Sequence, residues 1–165
     1  MRAVRSIAVL VGVCWFAAGC TELSPSKERA SDVYATIIHS FATQPEGDPK
    51  LNAYVEPRGE GSSISVDVQA EVVTSVEDVA DVRFIDARSE ALEETDAGEM
   101  VVRDGGILLA FGPVPNDATD VIVEVDQYID ETNLATHRFV MHRKGDEWTI
   151  DNSSVTYETI TPDEP

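Results

Sequence analysis

Thiols, positive charges and long apolar runs are all scarce in this chain of 165 residues. It has two cysteines, and 12 lysines and arginines stand against 31 acidic residues, a formal net charge of −19. We expect no nucleic-acid partner, because neutralising phosphates takes clustered Lys and Arg side chains. The longest apolar run covers residues 7–18, and this is too short for a membrane span, which takes about 20 residues.

The first twenty residues have the layout of an export signal. Arg2 and Arg5 give a basic start, the apolar run follows, and small residues occupy positions 17–19 just before Cys20. A basic start, a short apolar stretch and a small-residue cleavage site together predict a secretory signal peptide over residues 1–19.

A cysteine directly after such a cleavage site resembles the lipobox of bacterial lipoproteins. The resemblance implies cleavage after Gly19, a diacylglycerol on the Cys20 thiol, and a fatty acid such as palmitate on the new amino group. It also implies that the domain lies outside the cytoplasm and meets the cell membrane through this lipid. The lipobox usually has Leu or Val three residues before the cysteine, where this chain has Ala17. Ordinary signal-peptidase cleavage and plain secretion therefore stay open.

The remaining 146 residues are enough for one domain with a core. Without Arg2 and Arg5 the basic count falls to 10 against 31 acidic residues, a net charge of −21. Cys14 leaves with the signal, so the domain has no thiol for a disulfide or a thiolate metal site. We expect residues 20–30 to carry the lipid and form a tether, 31–158 to form the domain, and 159–165 to form a disordered tail.

The first half of the domain has helical and strand-like patterns. Apolar residues at helical spacing predict a helix that starts at Ser31, with an earlier start at Ser24-Pro25 left open. Residues 64–72 alternate as a strand does, but a spacing of four that persists to Val79 favours a helix over 64–79. Short strands are predicted over residues 51–55 and 82–85, and a helical turn over 89–94.

The second half is mainly β. Asp104-Gly105-Gly106 predicts a hairpin between strands over 100–103 and 107–111, because glycine allows positive φ. Strands over 121–129, 134–143 and 148–157 predict an antiparallel meander. The fold class is therefore α+β, with one or two N-terminal helices packed on the meander, similar in shape to the cystatin and NTF2-like folds.

Two stretches add a second resemblance. Gly112-Pro113-Val114-Pro115 and Gly145-Asp146-Glu147-Trp148, together with the predicted hairpin turn, are similar to a pattern in uncharacterised lipoproteins of Gram-positive bacteria. The resemblance covers residues 82–157 and implies no activity. Trp148 is expected in the core.

Candidate catalytic residues lie on two neighbouring strands. Glu124 and Asp126 share one strand face, and a four-residue turn after this strand would place Asp126 opposite His137 as an acid–base pair. A slip of one residue would place Asp126 near Arg138 instead, as a surface ion pair. His39, His137 and His142 have no metal-ligand spacing, and His137 and His142 should face opposite sides of the sheet. We expect no metal site and no cofactor.

Three functions follow from these patterns. The leading hypothesis is a non-enzymatic, lipid-anchored module of the cell envelope that binds an envelope protein or peptide. The second is a small enzyme with a pocket between helix and sheet, using His137 with Asp126 or Glu124. The third is an acidic surface that responds weakly to divalent cations. The sequence leaves the oligomeric state open.

Overall fold

The computed structural model describes residues 23–42, 49–116 and 119–157. Within these ranges the elements are α1 (Pro25–Phe41), β1 (Leu51–Pro57), α2 (Val66–Ser75), β2 (Ala80–Phe84), β3 (Leu92–Glu94), β4 (Met100–Val102), β5 (Ile107–Phe111), β6 (Asp120–Asp130), β7 (Asn133–Lys144) and β8 (Glu147–Tyr157). The predicted signal peptide, Cys20 and the tail over 159–165 lie outside the described residues.

The strands form one mixed sheet in the order β2-β1-β5-β6-β7-β8. β1 runs parallel to both β2 and β5, and α2 supplies the crossover that the parallel pair β1 and β2 requires. β3 and β4 join the sheet where Val101 pairs with Asp130, on the same side of β6 as β5. The α+β class and the antiparallel meander over β6 to β8 are confirmed, whereas the parallel pairing of β1 was not predicted.

Both helices pack on one face of the sheet. Val121, Val123 and Val125 of β6 alternate onto this face and are almost fully buried. The helix predicted over 64–79 is present as α2 but is shorter, Val66–Ser75, and its buried residues Val68 and Val72 lie four positions apart. The same core takes in Trp148, as predicted, with Val76 after α2 and residues of both helices: Val33, Ile37, Ile38, Val68 and Val72.

The opposite face of the sheet is covered only in part. A smaller apolar cluster, formed mainly by the chain between β2 and β5, lies against Tyr54 of β1 and Leu108 of β5. The residues of β6 to β8 that point to this side are exposed or half-buried. We call this side of the sheet the outward face. The three long strands therefore have a helix-covered face and an open one.

The first helix begins earlier than its favoured start at Ser31. Pro25 lies in its first turn and Ser24 is at the N-cap position, where the fixed φ and missing N–H of proline suit a helix start. Ser31 is buried inside the helix, and its hydroxyl donates to the carbonyl of Glu28 at 2.8 Å. The predicted tether is therefore wrong over residues 25–30, and the folded domain begins at 25 rather than 31.

The Asp104-Gly105-Gly106 turn does not close a hairpin. β4 pairs with β3 and β6, whereas β5 pairs with β1 and β6, so the two predicted partners never meet. The turn instead carries the chain from β4 to β5, which lies beside β1. A Cβ on Gly106 would lie 2.5 Å from the carbonyl oxygen of Asn52, so glycine is needed there for close approach to β1.

Burial predicts how strongly two valines on the same face of the sheet, in β6 and β8, stabilise the fold. Val123 is 1% exposed beneath α1, whereas Val155 is 40% exposed. Val123→Ala should lower the free energy of unfolding by about 2–3 kcal/mol, through lost transfer energy and a residual cavity. Val155→Ala should lower it by less than about 1 kcal/mol. Urea titration of both variants measures this difference, and equal losses would contradict the assigned difference in burial.

Candidate binding surface on strands β6 to β8

The three C-terminal strands are longer than the helix that covers them. β7 has 12 residues and spans about 40 Å, whereas the 17 residues of α1 span about 26 Å. The start of α1 lies near Trp148, and its last residue, Phe41, contacts His137. The strands therefore reach the end of α1, where Phe41 contacts His137 and Phe139, and continue past it. We call this part, residues 134–140 of β7 and 152–157 of β8, the distal ribbon.

Aromatic rings line the helix side of the distal ribbon. The rings of Phe41 and His137 meet edge to face at 5.0 Å between centroids, and the His137 ring stacks on Phe139 at 5.8 Å. His137 Nε2 lies 2.7 Å from Gln127 Oε1. Burial among these rings lowers the pKa of His137 below its ordinary value of 6.5, because the charged imidazolium loses solvation there.

Val155 and Tyr157 extend this surface along β8. They pair with His137 and Ala135 of β7, so they share the helix side of the sheet. Val155 is 40% exposed and Tyr157 is 76% exposed. An aromatic ring with an apolar body and a polar tip, accessible on a rigid strand, is a common contact residue in protein interfaces.

On the outward face an arginine joins two carboxylates. Arg58, which follows β1, places Nε 2.7 Å from Asp126 Oδ2 and Nη1 2.5 Å from Glu124 Oε2. Thr136 donates its hydroxyl to the other oxygen of Asp126 at 2.8 Å. The hydrogen bond to Asp126 raises the pKa of Arg58. Both carboxylates predicted as catalytic are thus held in a structural ion-pair cluster.

The register keeps His137 away from these carboxylates. Asp126 pairs with Thr136 and Val125 pairs with His137, so Asp126 and Glu124 point outward while His137 points to the helix side. The predicted register holds at the turn, where Asp130 pairs with Asn133, but an irregularity between Tyr128 and Asp130 shifts it by one residue. Both predicted neighbours of Asp126, His137 and Arg138, are therefore wrong.

The space beneath α1 is not the predicted pocket. Ile37, Phe111 and Met141 fill it, and each is at most 1% exposed. Such packing leaves no room for a substrate between this helix and the sheet. The acid–base pair is thus absent from the described residues, and the space beneath α1 is filled. A cavity of about 390 Å³ does lie between α2 and strands β1 and β2, but its lining, which includes Val55, Gln69 and Phe84, contains neither His137 nor the two carboxylates.

The other two histidines lie apart from His137. His142 is on the outward face, as predicted, where its Nδ1 contacts the Asp120 carboxylate. His39 Nε2 lies 3.3 Å from the carbonyl oxygen of Ser75 and so links α1 to α2. Among the described residues, no group of three or more His, Cys, Asp or Glu side chains is placed to hold a metal ion.

The Asp130 carboxylate is hydrogen-bonded to residues of the turn that follows it. It accepts hydrogen bonds from the backbone amides and side chains of Thr132 and Asn133, at 2.6–2.9 Å. Hydrogen bonds from the side chains of Thr132 and Asn133 contribute most to lowering the pKa of Asp130. This carboxylate therefore serves to close the β6–β7 turn.

The free edge of β8 was missed in the sequence. Within the described ranges β8 pairs only with β7, and residues 151–157 are all exposed. Of the other two sheet edges, β2 carries Asp81 and Arg83, and β3 is three residues long. Charges and short length are the usual protections of an edge strand, but residues 152–157 contain neither charge nor proline. This uncharged stretch, in the last predicted strand of the meander, could have indicated an unprotected sheet edge.

Comparison of this chain with family models, with curated proteins and with solved structures finds no significant match. What the protein does must therefore be argued from its own residues and geometry.

The Arg58 cluster should stabilise the fold modestly. Arg58→Met removes both ion pairs and leaves Glu124 and Asp126 close together on one strand face. Because Arg58 is partly exposed, we expect a loss of about 1 kcal/mol that shrinks as salt is added. Arg138 is opposite Glu124 but has no ion pair among the described residues, so Arg138→Met should change stability by less than about 0.5 kcal/mol. Equal losses in denaturant titrations would contradict the assignment.

The environment of His137 predicts a pH dependence. The folded pKa lies below the unfolded value, so the unfolded chain binds more protons between the two. The contribution of His137 to stability is therefore complete above about pH 7, falls as the pH drops below about 6.5, and levels off below the folded pKa. Melting temperatures of the wild type and His137→Gln, measured against pH, should show a difference that changes in this window. Parallel curves would show that His137 titrates alike in both states.

Proposed function

We propose that this protein is a lipid-anchored extracytoplasmic bacterial lipoprotein whose domain is a non-enzymatic binding module of the cell envelope. The observation that carries the proposal is the arrangement of the first twenty residues. The basic start, the apolar run and the small residues before Cys20 each have a role in lipoprotein export, and their order is the one that export requires.

The start of the folded domain supports this reading. Four residues separate Cys20 from Pro25, a reach of at most about 17 Å. A lipid on Cys20 would hold the start of α1 close to the membrane. The distal ribbon, at the other end of α1, would then lie away from the anchor. This position suits a surface that meets partners.

The negative charge of the chain supports the proposal that a lipid is needed for membrane attachment. With a net charge of −19, the protein would be repelled by anionic headgroups rather than adsorb to them. In the described residues no helix is both long and apolar enough to cross a bilayer. Stable membrane attachment takes two or more acyl chains, which a diacylglycerol on Cys20 would provide.

The binding role rests on the distal ribbon. Paired strands present exposed Val155 and Tyr157, together with a backbone edge that no other described strand occupies. Apolar and aromatic groups on a preorganised strand lose little conformational entropy when a partner binds. An envelope protein or peptide is the partner class that such a surface favours, since strand edges bind other polypeptide backbones.

The anchor is tested by substituting the two cysteines separately. Cys20→Ser should leave the chain unprocessed or release it from membranes, because the thioether cannot form. Cys14→Ser, within the apolar run, is the matched control and should be processed and anchored normally. Fractionation and intact mass spectrometry of protein from native membranes give the readout. The assignment fails if wild-type protein carries an unmodified Cys20, or if Cys20→Ser protein is cut and remains in membranes like the wild type.

A further inference from the structure

We propose that the free edge of β8 binds an extended polypeptide segment of a partner, which adds a strand to the sheet. The segment would be uncharged or basic, with apolar side chains at alternate positions. This inference rests on the proposed binding function and names the kind of partner.

The backbone of β8 provides the first part of the argument. Residues 152–157 are exposed, and within the described residues their only strand partner is β7. In a strand, alternate residues direct their N–H and C=O groups to either side, so one set of β8 groups points away from β7. An added strand satisfies these groups, and no lysine, proline or acidic side chain in this stretch opposes its approach.

The two faces of the edge define the side chains of the incoming strand. On the helix side, Val155 pairs with His137, whose ring contacts Phe41, and Tyr157 pairs with Ala135. On the outward side, Ser154 and Thr156 present hydroxyl groups. Directly opposed residues share a face, so apolar residues on one side of the segment meet the valine and tyrosine, and polar residues meet the hydroxyls. The bound segment should therefore alternate apolar and polar residues along its length.

Charge selects a neutral or basic segment. The edge itself is uncharged, but Asp151 precedes it and Glu131 lies in the turn beyond its far end. The chain as a whole carries −19, so an acidic segment would be repelled on approach. Basic residues at the two ends of the segment would face acidic groups at both ends of the edge.

The same observations disfavour a second copy of this chain as the occupant. Two molecules of this charge repel each other. Antiparallel pairing of two β8 strands would also place the two Pro25 residues at opposite ends of the joined sheet. Two such domains, each standing on its own short tether, could not then pair on one membrane.

The test uses the full chain collected from membranes and culture medium together and purified in neutral detergent, so its outcome does not depend on whether Cys20 carries a lipid. The probe is the peptide Lys-Val-Thr-Val-Thr-Val-Lys. The control peptide Lys-Val-Val-Val-Thr-Thr-Lys has the same composition and charge without the alternation. Amide hydrogen exchange and peptide titration are the readouts, with peptide up to about 1 mM.

We expect the alternating peptide to slow exchange at residues 152–157 and to bind at least about fivefold more tightly than the control peptide. Val155→Lys, which places a charge on the apolar side of the edge, should abolish this protection. Ser63→Lys, the same added charge in an exposed loop, should leave it unchanged.

Three results would overturn the proposal. One is equal binding of both peptides, which indicates charge attraction alone. Another is the absence of slowed exchange in β8 at the highest peptide concentration. The third is protection of residues 152–157 that grows with protein concentration without peptide, which would make a second copy the occupant.

Discussion

The burial of alternate valines on β6 is the constraint on which the rest of the structure depends. Val121, Val123 and Val125 lie beneath the helices, so the residues between them must point outward. β6 also pairs with β5 and β4 on one side and with β7 on the other. Its orientation therefore sets which face of β7, and through β7 of β8, is covered by helices.

The same alternation explains what the sequence could predict. The α+β class, helix α2 and the three strands of the meander follow from local periodicity, because helices and half-buried strands repeat their apolar residues at fixed intervals. The parallel pairing of β1 with β2 and β5 could not be predicted from local periodicity. It depends on contacts between segments far apart in the chain, such as Ala53 with both Val82 and Ile107, which periodicity does not specify.

The candidate catalytic pair shows how sharply a site depends on register. Counting back from the turn placed Asp126 opposite His137, and one irregularity between Tyr128 and Asp130 moves the two side chains to opposite faces. The carboxylates then meet Arg58, which lies 66 and 68 positions away in the sequence. Strand alternation correctly predicted that Glu124 and Asp126 share a face. Their ion-pair partner, Arg58, could be identified only from the folded structure.

The distal ribbon results from a difference in length between strands and helix. Had β7 and β8 ended with α1, the rings of Phe41 and His137 would mark the end of an ordinary core. Instead the strands continue, and residues 152–157 pair with β7 on one side, while no other described strand pairs with them on the other. Strands exposed in this way contribute little apolar burial to stability. Their uncharged sequence also forgoes the usual protection against association. In the part of the chain that the structure describes, this edge adds little to the stability of its own domain and has no second strand beside it. The proposed partner segment would complete the sheet there.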